Sequence, residues 1–186
     1  MIPFRDAAEL EAGGTAAYFR LISGRTRSER LGGLLQVNAK GEPVEFTFGT
    51  VEVPGGPLWK AGAAERGGMR SLAISLFQTS QRSPLLLLCL AREVPAELFR
   101  DEIQVVLPVC RLAAGADVAQ LDVSEGEIEE PTAEPTIHLF WRPGPPPPES
   151  PARRLVDSLA RRGMLLEPFD RIPAGLREAL AESSTE

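Results

Sequence analysis

Residues 84–90 read Pro-Leu-Leu-Leu-Leu-Cys-Leu, apolar at every position. Side chains alternate across a β-strand, so a strand of this sequence is apolar on both faces and has to be covered on both. The run extends to Ala91, far short of the length that spans a bilayer. Just ahead of it lies the clearest helical pattern in the chain, with Met69, Leu72, Ala73, Leu76 and Phe77 at i, i+3, i+4, i+7 and i+8. That helix has to stop before Ser83-Pro84, because the residue preceding a proline is pushed out of the helical region. Residues 84–90 are therefore expected at the centre of a sheet.

A hairpin is expected earlier. Leu34, Leu35 and Val37 form one strand, and Val44, Phe46 and Phe48 begin the next. Between them Asn38 suits the first turn position and Gly41 the left-handed one, which predicts a bulged hairpin. Pro43 fits a strand start on an edge. The stretch lacks the spacing of a phosphate-binding loop, and no helix follows it. Apolar positions 44, 46 and 48 are followed by 51 and 53, a phase slip that predicts a bulge at Gly49-Thr50. Gly32-Gly33-Leu34-Leu35-Gln36-Val37-Asn38 with Gly41-Glu42-Pro43-Val44-Glu45-Phe46 resembles the hairpin of a family of uncharacterised bacterial proteins. The resemblance covers the hairpin alone and implies no activity.

Further elements follow from pattern. Residues 6–12 read as a short capped helix, and 15–23 as a strand with Ala17, Phe19 and Leu21 on one face and Tyr18, Arg20 and Ile22 on the other. Residues 103–110 read as a strand that is at an edge or ends at Pro108. Residues 117–123 alternate weakly. In 137–141, Ile137, Leu139 and Trp141 share one face, with His138 and Phe140 opposite. The acidic stretch 124–135 reads as a loop, and 142–151 as extended polyproline. Leu155, Val156 and Leu159 mark a helix over 152–162 with Gly163 after it, and Pro173 opens a last short helix. The fold class is α+β: a mainly antiparallel sheet of about six strands, one long packed helix and a C-terminal helical segment. The division is a core at 1–142, a Pro-rich linker at 143–151 and a helical segment at 152–186.

The chemistry is sparse. Net charge is −6, which disfavours non-specific phosphate binding outside a local basic patch. The 18 arginines against Lys40 and Lys60 suit a GC-rich bacterial genome. With two cysteines there is no disulfide scaffold, so Cys89 and Cys110 are expected as buried thiols. No signal sequence is evident, which predicts a cytoplasmic protein. His138 is the only histidine and has no nucleophile motif for company. A Cys89–Cys110–His138 zinc site would need neighbouring strands, and the spacing lacks a CxxC pair. Glu42, Glu45, Glu52, Glu93, Glu97, Asp101 and Glu102 read as a solvated sheet face. No catalytic, metal or cofactor residue is expected.

Contact residues are easier to nominate. Arg20, Arg25, Arg27 and Arg30 form one cationic group, of which the last three lie in a loop. In a second group, Arg153, Arg154, Arg161 and Arg162, part of the charge is met by Asp157. Arg142, Pro145 and Pro148 match a +xxPxxP spacing, Trp59 lies in a turn-rich segment and Trp141 abuts the Pro-rich linker. The reading from sequence is a non-enzymatic accessory subunit of a bacterial assembly, with a homo-oligomer or hetero-complex partner and no membrane. A carboxylate-dependent hydrolase or nuclease, and a nucleic-acid module using Arg25, Arg27 and Arg30, are the alternatives.

Overall fold

The computed structural model describes residues 14–53, 62–99, 102–118, 127–132 and 136–183. The helix expected at 6–12, Trp59, Asp101 and residues 119–123 lie outside them. Among the described residues seven strands form one sheet: β1 Ala16–Ser23, β2 Glu29–Val37, β3 Pro43–Glu52, β4 Leu86–Leu90, β5 Val109–Ala114, β6 Ile128–Pro131 and β7 Ile137–Arg142. Their order is β3-β2-β1-β4-β5-β7-β6. The helices are α1 Ala63–Thr79, the single turn α2 Gly115–Val118, α3 Pro151–Arg161 and α4 Glu167–Ser183, with a 3-10 turn at Ala96–Phe99.

The sheet is mixed, not mainly antiparallel. β1, β2 and β3 form an antiparallel meander. α1 then carries the chain across one face, so β4 returns parallel to β1, and β5 lies parallel to β4. β7 and β6 close the other side antiparallel.

β4 is central and all five of its residues are buried. Leu87 and Cys89 face α1 with Ala17, Phe19, Leu34, Leu72 and Leu76. Leu86, Leu88 and Leu90 face α3 and α4, with Tyr18, Cys110, Trp141, Leu155 and Phe169. The faces expected of residues 15–23 and 137–141 hold. The two thiols lie on opposite faces, which removes the zinc idea. Burial pushes Cys89 up to about 12, and Cys110 well above its usual value. A raised thiol keeps its stabilising neutral form at low pH. Stability should therefore fall as pH climbs past the usual 9.0, where an unfolded thiol ionises. At pH 8 a thiol reagent should label neither cysteine until denaturant is added; rapid labelling of the native protein would contradict the burial.

The hairpin forms as read. Asn38 Oδ1 accepts from the backbone N–H of Lys40 and Glu42, Gly41 sits at φ 79°, and Pro43 opens the edge strand. The bulge is at Gln36/Val37, while the register runs on unbroken through Gly49 and Thr50. The apolar slip marks a change of covered face. Phe46 packs beside Gly175 of α4, whereas Val51 and Val53 lie nearest Gly68 of α1. Gly32 and Gly33 admit helices on opposite faces: a Cβ on Gly32 would lie 2.9 Å from Leu72, and one on Gly33 would run into Ile172. Gly33→Ala should therefore cost about 1–3 kcal/mol in urea unfolding. A loss under about 0.5 kcal/mol would mean that α4 shifts freely.

Three further boundaries differ from expectation. Residues 103–107 are not strand, and β5 starts after Pro108. The acidic stretch contributes β6, where Glu130 accepts from Trp141 Nε1 and Arg153. Charge on an edge strand is tolerated when the side chains face partners or water. α4 begins at Glu167 and contains Pro173, because Phe169 and Ile172 are already buried against the sheet. α3 runs one residue ahead of the expected 152–162; Ser150 Oγ caps its start by accepting from the Arg153 N–H, and Gly163 follows its end at φ 69°. No helix among the described residues is long and apolar enough to cross a membrane.

Candidate nucleic-acid interface

The parallel strands β1, β4 and β5 end on one edge, at Ser23, Leu90 and Ala114. Ligands of open α/β sheets gather outside such carboxyl ends, where successive connections leave in opposite directions. The chain leaves β1 towards β2 on one side, while β4 lies on the other. Four segments meet this edge: loop 24–28, residues 91–95 after β4, α2 after β5, and the start of α4.

Arg20 organises the edge. It lies on the α4 face of β1, where Nε and Nη2 bond the Glu93 carboxylate at 3.1 and 3.0 Å. Nη1 donates to the Phe169 carbonyl at 2.9 Å and stands 3.9 Å from Asp170. That carbonyl would normally accept from the residue four positions on, which is Pro173 and has no N–H. The helix proline thus leaves an acceptor that Arg20 takes. Burial raises the Glu93 pKa above its ordinary value, and the charge and hydrogen bonds of Arg20 offset only part of the rise. Arg92 stands 3.6 Å from Asp117. Arg92, Asp117 and Asp170 line a cleft of about 190 Å³ floored by Leu90, Leu112 and Leu166.

Loop 24–28 sits on the same edge. Arg30 is committed to structure, binding Glu65 at 2.9 Å and the carbonyls of Arg27 and Glu29. Arg25 and Arg27 are exposed, and among the described residues neither guanidinium makes an ion pair. The other nominated contacts fall elsewhere. Trp141 is fully buried core, with no surface to offer a partner. Arg142 precedes a cis Pro143, and Pro145 and Pro148 are exposed, but Pro146 between them is buried and residues 148–149 turn. His138 bonds Glu129 and stacks on Phe140. Glu45, expected on a solvated face, accepts from the N–H groups of Gln81 and Arg82 after α1.

Among the described residues no three His, Cys, Asp or Glu side chains gather closely enough to hold a metal ion. Glu93 spends its oxygens on Arg20. This donor set does not fit a two-ion centre, which needs several carboxylates on one point.

No protein-family model and no curated protein sequence matches the chain. Solved structures do match in fold. An endonuclease V from Streptomyces avermitilis aligns at TM-score 0.51 and 15% identity, over 92% of this chain and 83% of its own. An endonuclease V from Bacillus subtilis aligns at TM-score 0.55 and 12% identity, over 93% and 84%. At such identities the likeness establishes a shared fold. The accessory-subunit expectation is corrected on this finding: the architecture is one that endonucleases also have, across nine-tenths of the chain.

Sequence reasoning named Arg20 and Glu93 only as members of larger groups, and missed Arg92, Asp117 and Asp170 as a set. The available signal was two charges, Arg20 and Glu93, inside or just after strands that are otherwise apolar.

Proposed function

We propose that the chain is a nucleic-acid-directed protein of the nuclease kind, which takes a phosphodiester strand at the carboxyl edge of β1, β4 and β5. The observation that carries this reading is the fold shared with two endonucleases over more than nine-tenths of the chain. The edge supplies suitable chemistry. Arg25, Arg27 and Arg92 are placed for backbone phosphates, which arginine grips with two parallel donors. Glu93 is the carboxyl there whose raised pKa lets it hold or accept a proton most readily, and Arg20 fixes its orientation. Asp117 and Asp170 flank the cleft.

The test is cleavage of labelled single-stranded and duplex DNA and RNA, run with Mg²⁺, with Mn²⁺ and with chelator. Glu93→Gln should lower cleavage at least about tenfold while leaving binding within about twofold. Binding without cleavage of any of these substrates would remove the nuclease part of the reading. Absence of both would remove it entirely.

A further inference from the structure

Phe48 is 39% exposed on β3, the edge strand of the sheet. Its ring stacks on Phe46 at 6.2 Å between centroids and 19° between planes. Phe46 is held in turn by close approach of two backbones: a Cβ on Gly175 would lie 2.9 Å from its ring, and one on Gly33 3.3 Å. Phe48 is thus an exposed ring backed by a wedged one. A single apolar side chain at a surface is ordinary; what separates this one is its surroundings.

Arg20, Gly33 and Phe48 form one row across three strands on the α4 face. Two strand spacings separate Phe48 from Arg20, roughly 10 Å between backbones. Along α4, Asp170 faces Arg20, and the exposed Arg177 recurs seven residues later on the same helical stripe, two turns towards β3. Arg20 is spent on Glu93, the Phe169 carbonyl and Asp170, so the cation this face offers a phosphate is the exposed Arg177. An aromatic face with an arginine on the same surface is how proteins hold unpaired bases and the phosphates between them. A duplex keeps its base faces stacked and has none to offer.

We infer that Phe48 is a stacking platform for an unpaired nucleobase, so that the strand taken by the carboxyl edge is single-stranded or locally opened. This rests on the nucleic-acid reading above. The test is fluorescence anisotropy at low salt with labelled dT and rU 20-mers and a 20-base-pair duplex. Phe48→Ala and Phe48→Leu should each weaken single-strand binding about tenfold, Phe48→Trp should retain it, and duplex binding should change less than about twofold. Thermal melting of Phe48→Leu checks that the fold is kept, since leucine preserves an apolar contact without a π face. The dT and rU arms tell a DNA strand from an RNA one. Unchanged single-strand binding in Phe48→Ala and Phe48→Leu, beside weakened binding in Arg25→Ala/Arg27→Ala, would overturn the platform and leave the interface standing. Equal losses for single strand and duplex would also overturn it, as a structural effect. Failure of the unmodified protein to bind any of the three probes would end both readings.

Discussion

Glu127→Ala is expected to destabilise the protein by about 3–5 kcal/mol. Glu127 meets Arg111 through two parallel bonds, Nε to Oε1 and Nη2 to Oε2, both 2.7 Å, while Arg111 Nη1 donates to the Val94 carbonyl. The side chains are only 5% and 2% exposed, so water does not screen the pair. Burial alone would lower the Arg111 pKa. The Glu127 bonds and charge outweigh it and raise the value, so Arg111 stays charged whatever the pH of the assay. Removing Glu127 takes two short bonds and a facing charge from a buried cation, and that penalty sets the size of the loss. Replacing both partners, Arg111→Met with Glu127→Leu, should cost less than the single change, since no charge is then stranded. Urea unfolding of the two variants checks this. A single-variant loss below about 1 kcal/mol would mean that Arg111 swings out to water.

Replacing Arg25, Arg27 and Arg92 together with alanine should weaken oligonucleotide binding by about a hundredfold at low salt, with little change in stability. Arg25 and Arg27 make no ion pair among the described residues, and Arg92 has only a long contact to Asp117 with both side chains well exposed. Exposed pairs of that kind contribute little to folding. Arg30 is the control. It sits just past that loop, at the start of β2, and is spent on Glu65 and two carbonyls, so Arg30→Ala should loosen the loop and reduce stability as well as binding. Equal loss of binding from Arg153→Ala, whose guanidinium clamps Glu130 near the far edge of the sheet, would place the interface elsewhere.

Sequence patterns disclosed elements better than their assembly. Residues 84–90 fit a doubly covered strand, which forms over Leu86–Leu90, and Ile137, Leu139 and Trp141 alternate against His138 and Phe140 as strand periodicity demands. Asn38 and Gly41 specify their turn chemically. The parallel joining of β4 to β1 left no such mark, because direction depends on how α1 crosses the sheet. β6 was hidden because its acidic side chains find partners only across strands, as Glu130 does with Trp141 and Arg153. Pro173 was read as a helix start because proline suits that position; its tolerance inside α4 depends on Arg20, from a strand about 150 residues earlier, meeting the freed carbonyl. The edge site is hard to see for the same reason. Arg20, Glu93, Asp117 and Asp170 are scattered along the chain and meet only because three parallel strands end together.

The measurement that bears most directly on the central claim is the salt dependence of oligonucleotide affinity for the unmodified protein. If Arg25, Arg27 and Arg92 each displace a counterion from a single strand, log affinity should fall against log salt with a slope of about −2. The triple alanine variant should flatten it by about two. Affinity that does not change with salt, or no affinity at all for single-stranded or duplex DNA or RNA, would contradict a nucleic-acid-directed function at this edge.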